Sequence, residues 1–226
     1  TITGLVRTRD GAHLTAQGTI EQRGEGRIEE AASLTTASTG GQRLLGVNTV
    51  HSFQGTNAGG GSIKLSNMPT LSITGITQAA GGNIEINNAG DLQISGTVST
   101  RDQVELNAAG KIAEGSAGKV YGERLVARST GGQVLLGDNR IRSFQASNQS
   151  GDIELSNNGY DLEIISIDQA DGGEVALTNN EGGITITGLV RTRDGINVSA
   201  QGTLEQAGGG RIEEAALLTT ASTGGQ

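Results

Sequence analysis

A chain that repeats itself must fold into something that repeats. Residues 1–42 and 185–226 are identical at 34 of 42 positions. The stretch "GRIEEAASLTTASTGGQ" (26–42) returns as "GRIEEAALLTTASTGGQ" (210–226), with Leu217 in place of Ser33 as the one change. A weaker copy lies halfway between them. Thr-Arg-Asp occurs at 8–10, 100–102 and 192–194, Thr-Gly-Gly-Gln at 39–42, 130–133 and 223–226, and Ser-Phe-Gln at 52–54 and 143–145. The unit is therefore about 92 residues long. The outer copies match each other better than either matches the middle one, which indicates a 184-residue super-repeat. The chain reads as a single domain, 1–226, made of a partial repeat (1–42) and two repeats (43–133 and 134–226).

A finer period lies inside each unit. Runs such as "SIKLSN", "NIEINN", "QVELNA", "QVLLGD", "DIELSN", "EVALTN" and "INVSAQ" alternate apolar and polar residues, as a strand with one buried face does. Their first apolar residues are Ile63, Ile84, Val104, Val134, Ile153, Val175 and Ile196, at steps of 21, 20, 30, 19, 22 and 21. Four steps to a unit imply about 23 residues per coil and about ten coils in all. Several short strands per period mean a solenoid, because one coil cannot bury its inward face alone and stacked coils can. Asn67, Asn88, Asp138, Asn157 and Asn179, four residues after the first apolar positions, suit corners and side-chain ladders. The long step holds "GRIEEAALLTTAST" or its relative "GKVYGERLVARST", which predicts an extra corner and strand. A short helix is the second reading there, since Ile212, Ala215 and Ala216 share a helical face. Arg43 stands where Val134 stands one unit later; either that coil is imperfect or Leu44 takes the inward place.

Composition narrows the function classes. The net charge is -8 with no basic cluster, which argues against nucleic acid and anionic lipid as partners. There is no cysteine, hence no disulfide and no thiolate metal site. Aromatic residues make up 2% of the chain, so the core must be built from Ile, Val and Leu, and aromatic sugar platforms are scarce. No apolar run is long enough to span a membrane.

Few residues offer chemistry. His13 and His51 stand alone, without a second ligand at metal spacing. The adjacent carboxylates of "IEE", at 28–30 and 212–214, should point to opposite sides of a strand rather than converge. "RTRD" places Arg7 and Arg9, and again Arg191 and Arg193, at alternate positions on an exposed face. A solvated ion pair is the plain reading of these four arginines, and a docking patch for an acidic glycan the functional one. The Gly runs lack the Lys-Ser or Lys-Thr of a phosphate loop, and no calcium-binding nonapeptide occurs. Thr-x-Thr pairs are too sparse for an ice-binding face, and the sequons at 148–150 and 197–199 carry little weight in so Asn- and Ser-rich a chain. No catalytic, cofactor or metal site is expected.

The cadence of "GRIEEAALLTTASTGGQ", "VLLGDNRIRSF", "GDIELSNN" and "GGEVALTNNEGGITITGLVRTRDGINVSAQGTLEQ", spread over all 226 residues, resembles the stalk repeats of filamentous haemagglutinin-like exoproteins of bacterial two-partner secretion. The resemblance implies an all-β, right-handed parallel β-helix, secreted to the bacterial cell surface, without enzymatic activity. Its role would be a stiff stalk in a large adhesin or biofilm exoprotein. Its partners would be adjacent repeats of the same chain, with host or matrix glycans or a surface receptor reached through other regions. End-to-end self-stacking of the segment is a further expectation. The Asn-Pro motifs of the family's amino-terminal secretion domain are absent, which marks an interior segment. The alternative is a carbohydrate-binding or polysaccharide-acting β-helix.

Overall fold

The computed structural model describes residues 1–225. Among them there is no helix; 25 strands follow one another through tight turns, and they pair in parallel from one coil to the next. The third Thr-Gly-Gly-Gln therefore ends just outside the described residues, at Gln226.

Strand register gives the coil length. One column of paired residues runs Gly11, Ser33, Ser52, Ser72, Gln93, Ala113, Val134, Glu154, Ala176, Asn197, Thr219. Ten steps lead from Gly11 to Thr219, so a coil is about 21 residues long. That is shorter than the coil implied by counting four steps to a unit. A second column runs Gln42, Ile63, Ile84, Val104, Leu125, Phe144, Ile164, Ile186. Each coil contributes one run to each column. We call the sheet through Ile63 wall A and the sheet through Ser72 wall B. Their inward side chains, among them Ile63, Ile84, Leu71 and Leu92, form one continuous apolar core.

The two walls explain the long step from Val104 to Val134. Val104 lies on wall A, and its next partner there is Leu125. Gln133 lies on wall B, between Ile112 and Ile153. The step therefore spans one coil and a half. A whole unit is four and a half coils, and each unit sets its motifs down on the opposite wall. Phe53 packs in wall B between Leu34 and Ile73, whereas its counterpart Phe144 packs in wall A between Leu125 and Ile164. Two units make nine coils and restore the wall: Ile20 and its counterpart Leu204 both belong to wall A. The super-repeat seen in the sequence is the period at which a residue regains its side.

Three ladders carry a register irregularity; one lies between Leu135 and Asn139, and the other two are counterparts in successive units. The register slips at Phe53/Gln54 against Ile73/Gly75, and at Phe144/Gln145 against Ile164/Ser166. An extra residue bends the strand. In the next coil the bent wall is two strands, Leu92–Ile94 and Thr97–Ser99 in the first case, Ile184–Ile186 and Leu189–Arg191 in the second. The coil is thus three-sided in outline, with the bent wall changing sides between units.

Several sequence expectations are corrected by this register. Val134 is not inward: Gln133 and Leu135 are fully buried and Val134 is half-buried. The same holds one unit earlier, where Gln42 and Leu44 are buried and Arg43 is exposed, so Leu44 does take the inward place. The corner residue of the Gln133 coil is Asn139, fully buried, not Asp138. The helix considered for the long step is absent; Leu217–Ser222 is a strand paired with Gly195–Ala200. The asparagine ladder is present. Asn67 Nδ2 donates to Asn88 Oδ1 at 3.0 Å, and Asn157 Nδ2 to Asn179 Oδ1 at 3.1 Å.

Inward and outward positions should differ sharply in energetic weight. Ile153 is fully buried between Gln133 and Val175 in its column, so Ile153→Asp places an unpaired carboxylate in the core and should cost several kcal/mol. Arg191→Ala removes a partly exposed pair and should cost about 0–1 kcal/mol. Urea unfolding of the two variants checks this; equal losses would contradict the register.

Candidate functional site

The four arginines singled out by sequence each have a carboxylate partner. Arg7 Nη2 lies 2.6 Å from Glu29 and its Nε 3.5 Å from Glu30, while Arg9 lies 3.8 Å from Glu30. Arg191 donates through Nε and Nη2 to Asp168 Oδ1, and Arg193 is 4.0 Å from Glu214. The hydrogen bond from Arg7, then that from Arg27, holds the Glu29 carboxyl below its ordinary range, and the bond to Asp168 raises Arg191. Arg7 and Arg191 are counterparts across one super-repeat, so the two clusters stand on one side of the solenoid, nine coils from each other.

The rest of the Thr-Arg-Asp motif has a structural task. Thr192 is fully buried; its hydroxyl donates to Gly173 O at 2.6 Å and accepts from Asp194 N at 3.2 Å. The Asp194 carboxylate accepts Gly173 N at 2.6 Å. Thr100 and Asp102 grip Gly82 in the same way. The motif therefore clamps a corner of the preceding coil. The clamped corners need glycine: Gly82 and Gly173 have φ of 112° and 124°, and a Cβ at either would meet a backbone oxygen at 2.1 or 2.2 Å.

The other candidates remain separate. His13 and His51 are exposed on different coils, and the ring of His51 faces only Ala31 O, at 3.4 Å. Glu30 and Glu214 both adopt φ of 60°, which turns each away from the extended path of its neighbour. Among the described residues no cluster of three or more His, Asp or Glu can hold a metal ion.

Sequence reading missed an unusual carboxyl. Glu114 occupies the place of Gln22 one unit earlier. There Gly46 N and Asn48 Nδ2 donate to Gln22 Oε1, and Gln22 Nε2 donates to Asn48 Oδ1 at 2.6 Å. Gly137 N and Asn139 Nδ2 still donate to Glu114 Oε2, at 2.6 and 3.0 Å. Glu114 Oε1, however, is shielded from solvent with no partner. Burial raises the Glu114 pKa, against the opposing effect of these two donors. The protonated acid can donate as Gln22 does; the carboxylate cannot.

It missed a second grouping as well. Tyr121 and Tyr160 flank one open groove of about 400 Å³ with Arg101, Arg140 and Arg142. The Arg142 guanidinium stacks 3.8 Å from the centre of the Tyr160 ring, and Arg140 and Lys119 lie 5.8 and 5.5 Å from that of Tyr121. The signal in the sequence was the departure of the middle copy from its neighbours. Lys119 and Tyr121 stand where the outer copies have Arg27 and Glu29 or Arg211 and Glu213. In comparisons with known proteins, no protein-family model, no curated protein and no solved structure matches the chain.

The corner clamp and the buried carboxyl can each be tested by stability. Thr192→Val leaves buried backbone groups unpaired and should cost about 1–3 kcal/mol, whereas Arg193→Ala should stay within about 0.5 kcal/mol; thermal melts of both variants check this. For Glu114 the folded pKa lies above the unfolded one. The folded state then holds the extra proton, and stability falls as pH rises from the ordinary glutamate value, about 4.3, through the raised folded value. Glu114→Gln should therefore raise the urea midpoint at neutral pH, with the gain shrinking as pH falls through that window. A gain independent of pH would show that charge burial is not its cause.

Proposed function

We propose that the chain is a non-catalytic stalk segment of a large secreted bacterial surface protein, of the adhesin or biofilm-exoprotein kind. The observation that supports this most is the succession of parallel ladders, coil after coil along about ten coils, over one continuous core. Such a stack transmits load through backbone hydrogen bonds along its axis, and its length is set by coil count alone. The outward ion pairs Arg7–Glu29, Lys64–Glu85 and Arg128–Glu105 join neighbouring coils, which suits a spacer better than a cleft. A second reading, a glycan-binding solenoid, is favoured by one observation, the tyrosine-flanked groove.

Length is the test of the stalk. With coils about 4.8 Å apart, a pair of units, nine coils, should add about 43 Å. Small-angle X-ray scattering on chains of two, four and six units should show the maximum dimension rising by that increment. Growth only as the cube root of length would sink the rod. In the parent protein, removing one pair should shorten reach at the cell surface, and an unrelated solenoid of nine coils put in its place should restore it.

A further inference from the structure

Both tyrosines of the chain lie on one groove, although they are far apart in sequence. Arg101, Tyr121, Arg140 and Tyr160 come from four successive coils, so the groove runs along the solenoid axis for about three coil spacings, roughly 14 Å. Rings and guanidinium groups alternate along it, with Arg140 beside Tyr121 and Arg142 on Tyr160. Stacking holds each guanidinium plane flat, which leaves its N–H edge directed outward and limits the rotamer freedom lost on binding.

The groove is also an electrostatic exception. Arg101, Lys119, Arg140 and Arg142 face Glu123 and Asp138, a local excess of two positive charges on a chain of net charge -8. Arg142 lies 3.3 Å from Glu123 and Arg140 3.5 Å from Asp138. Arg101 and Lys119 have no carboxylate within 4 Å among the described residues. The core does not require this surface. Val120 and Ile141 keep the inward places held by Ile28 and Val50 one unit earlier, while the outward Glu29, Thr49 and His51 have become Tyr121, Arg140 and Arg142.

We propose that this groove binds a linear acidic polysaccharide lying along the rod axis. Tyr160, half exposed, and Tyr121 offer flat faces to the apolar faces of sugar rings. The arginines between them, with Arg101 and Lys119, meet carboxylates or sulfates borne by successive sugars. The repeat of the polymer is served by the repeat of the coils, so affinity should rise with chain length until the four coils are filled.

Isothermal titration of residues 1–226 at low salt tests this, with oligogalacturonate as the carboxylate probe, dextran sulfate as the sulfate probe, and neutral dextran and polyglutamate for comparison. The expected result is saturable binding of oligogalacturonate, dextran sulfate or both, weakening as salt is added. Tyr160→Ala, Arg142→Ala and Arg101→Glu should each weaken binding roughly tenfold, with urea unfolding curves unchanged enough to show an intact solenoid. Absence of saturable binding to both acidic probes overturns the proposal. Equal binding of polyglutamate overturns it in favour of an acidic peptide, and binding indifferent to Tyr160→Ala overturns the role of the rings. None of these outcomes bears on the length test of the stalk.

Discussion

Every backbone hydrogen bond that makes a wall joins one coil to the next, and this constraint shapes all the rest. In-register parallel stacking puts each side chain over its partner about 4.8 Å away. The inside must therefore be written as columns, and a polar member of a column needs an answer within its own coil or the adjoining ones. Gln42 and Gln133 show what that means. Gln42 sits above Ile63 with Oε1 accepting from Thr36 Oγ1 at 2.6 Å and Nε2 donating to Thr56 O. Gln133 Nε2 donates to Ser147 O, the counterpart of Thr56 O, and to Ala127 O, but Gln133 Oε1 has no partner because Ala127 stands where Thr36 stood. The exchange is paired: Thr36 lies opposite Gly55, and Ala127 opposite Ala146. One methyl has moved across the ladder at the cost of a hydrogen bond.

The sequence revealed the solenoid because alternation and period are properties of single strands and of spacing, and both survive without tertiary information. It misled on phase. Val134 was weighed by hydrophobicity alone, yet Gln133 and Gln42 take the inward places because each finds hydrogen-bond partners on the facing wall, Ala127 and Ser147 for the one and Thr36 and Thr56 for the other. The same one-residue error moved the corner from Asn139 to Asp138. The half coil could not be seen by counting either, since a long gap between strands looks the same whether it adds a loop or changes walls. Glu114 looked ordinary in sequence. Only its alignment with Gln22, combined with a corner that offers two donors and no third, shows its oddity.

The surface follows a looser logic. Thr192 and Asp194 recur because a glycine corner must be held, whereas Arg193 between them is held only by distant attraction to Glu214. A motif that looks like one recognition element is thus a clamp with an exposed passenger. Some departures of the middle copy, such as Glu114 and Ala127, are inward; others fall on outward positions of adjoining coils and gather into one groove, over Val120 and Ile141, which stay apolar. Outward residues are free to diverge in a solenoid because nothing in the ladder depends on them.

The half-coil remainder in each unit also constrains how such an array can change by recombination. Gain or loss of a single unit would rotate everything downstream by half a turn and present its surface groups to the other side. Gain or loss of two units leaves every downstream group facing as before. The stretches most alike, 1–42 and 185–226, are the ones separated by nine whole coils. Unequal crossing-over, which is drawn to the longest near-identical tracts, would therefore lengthen or shorten the rod by steps that keep its faces in phase.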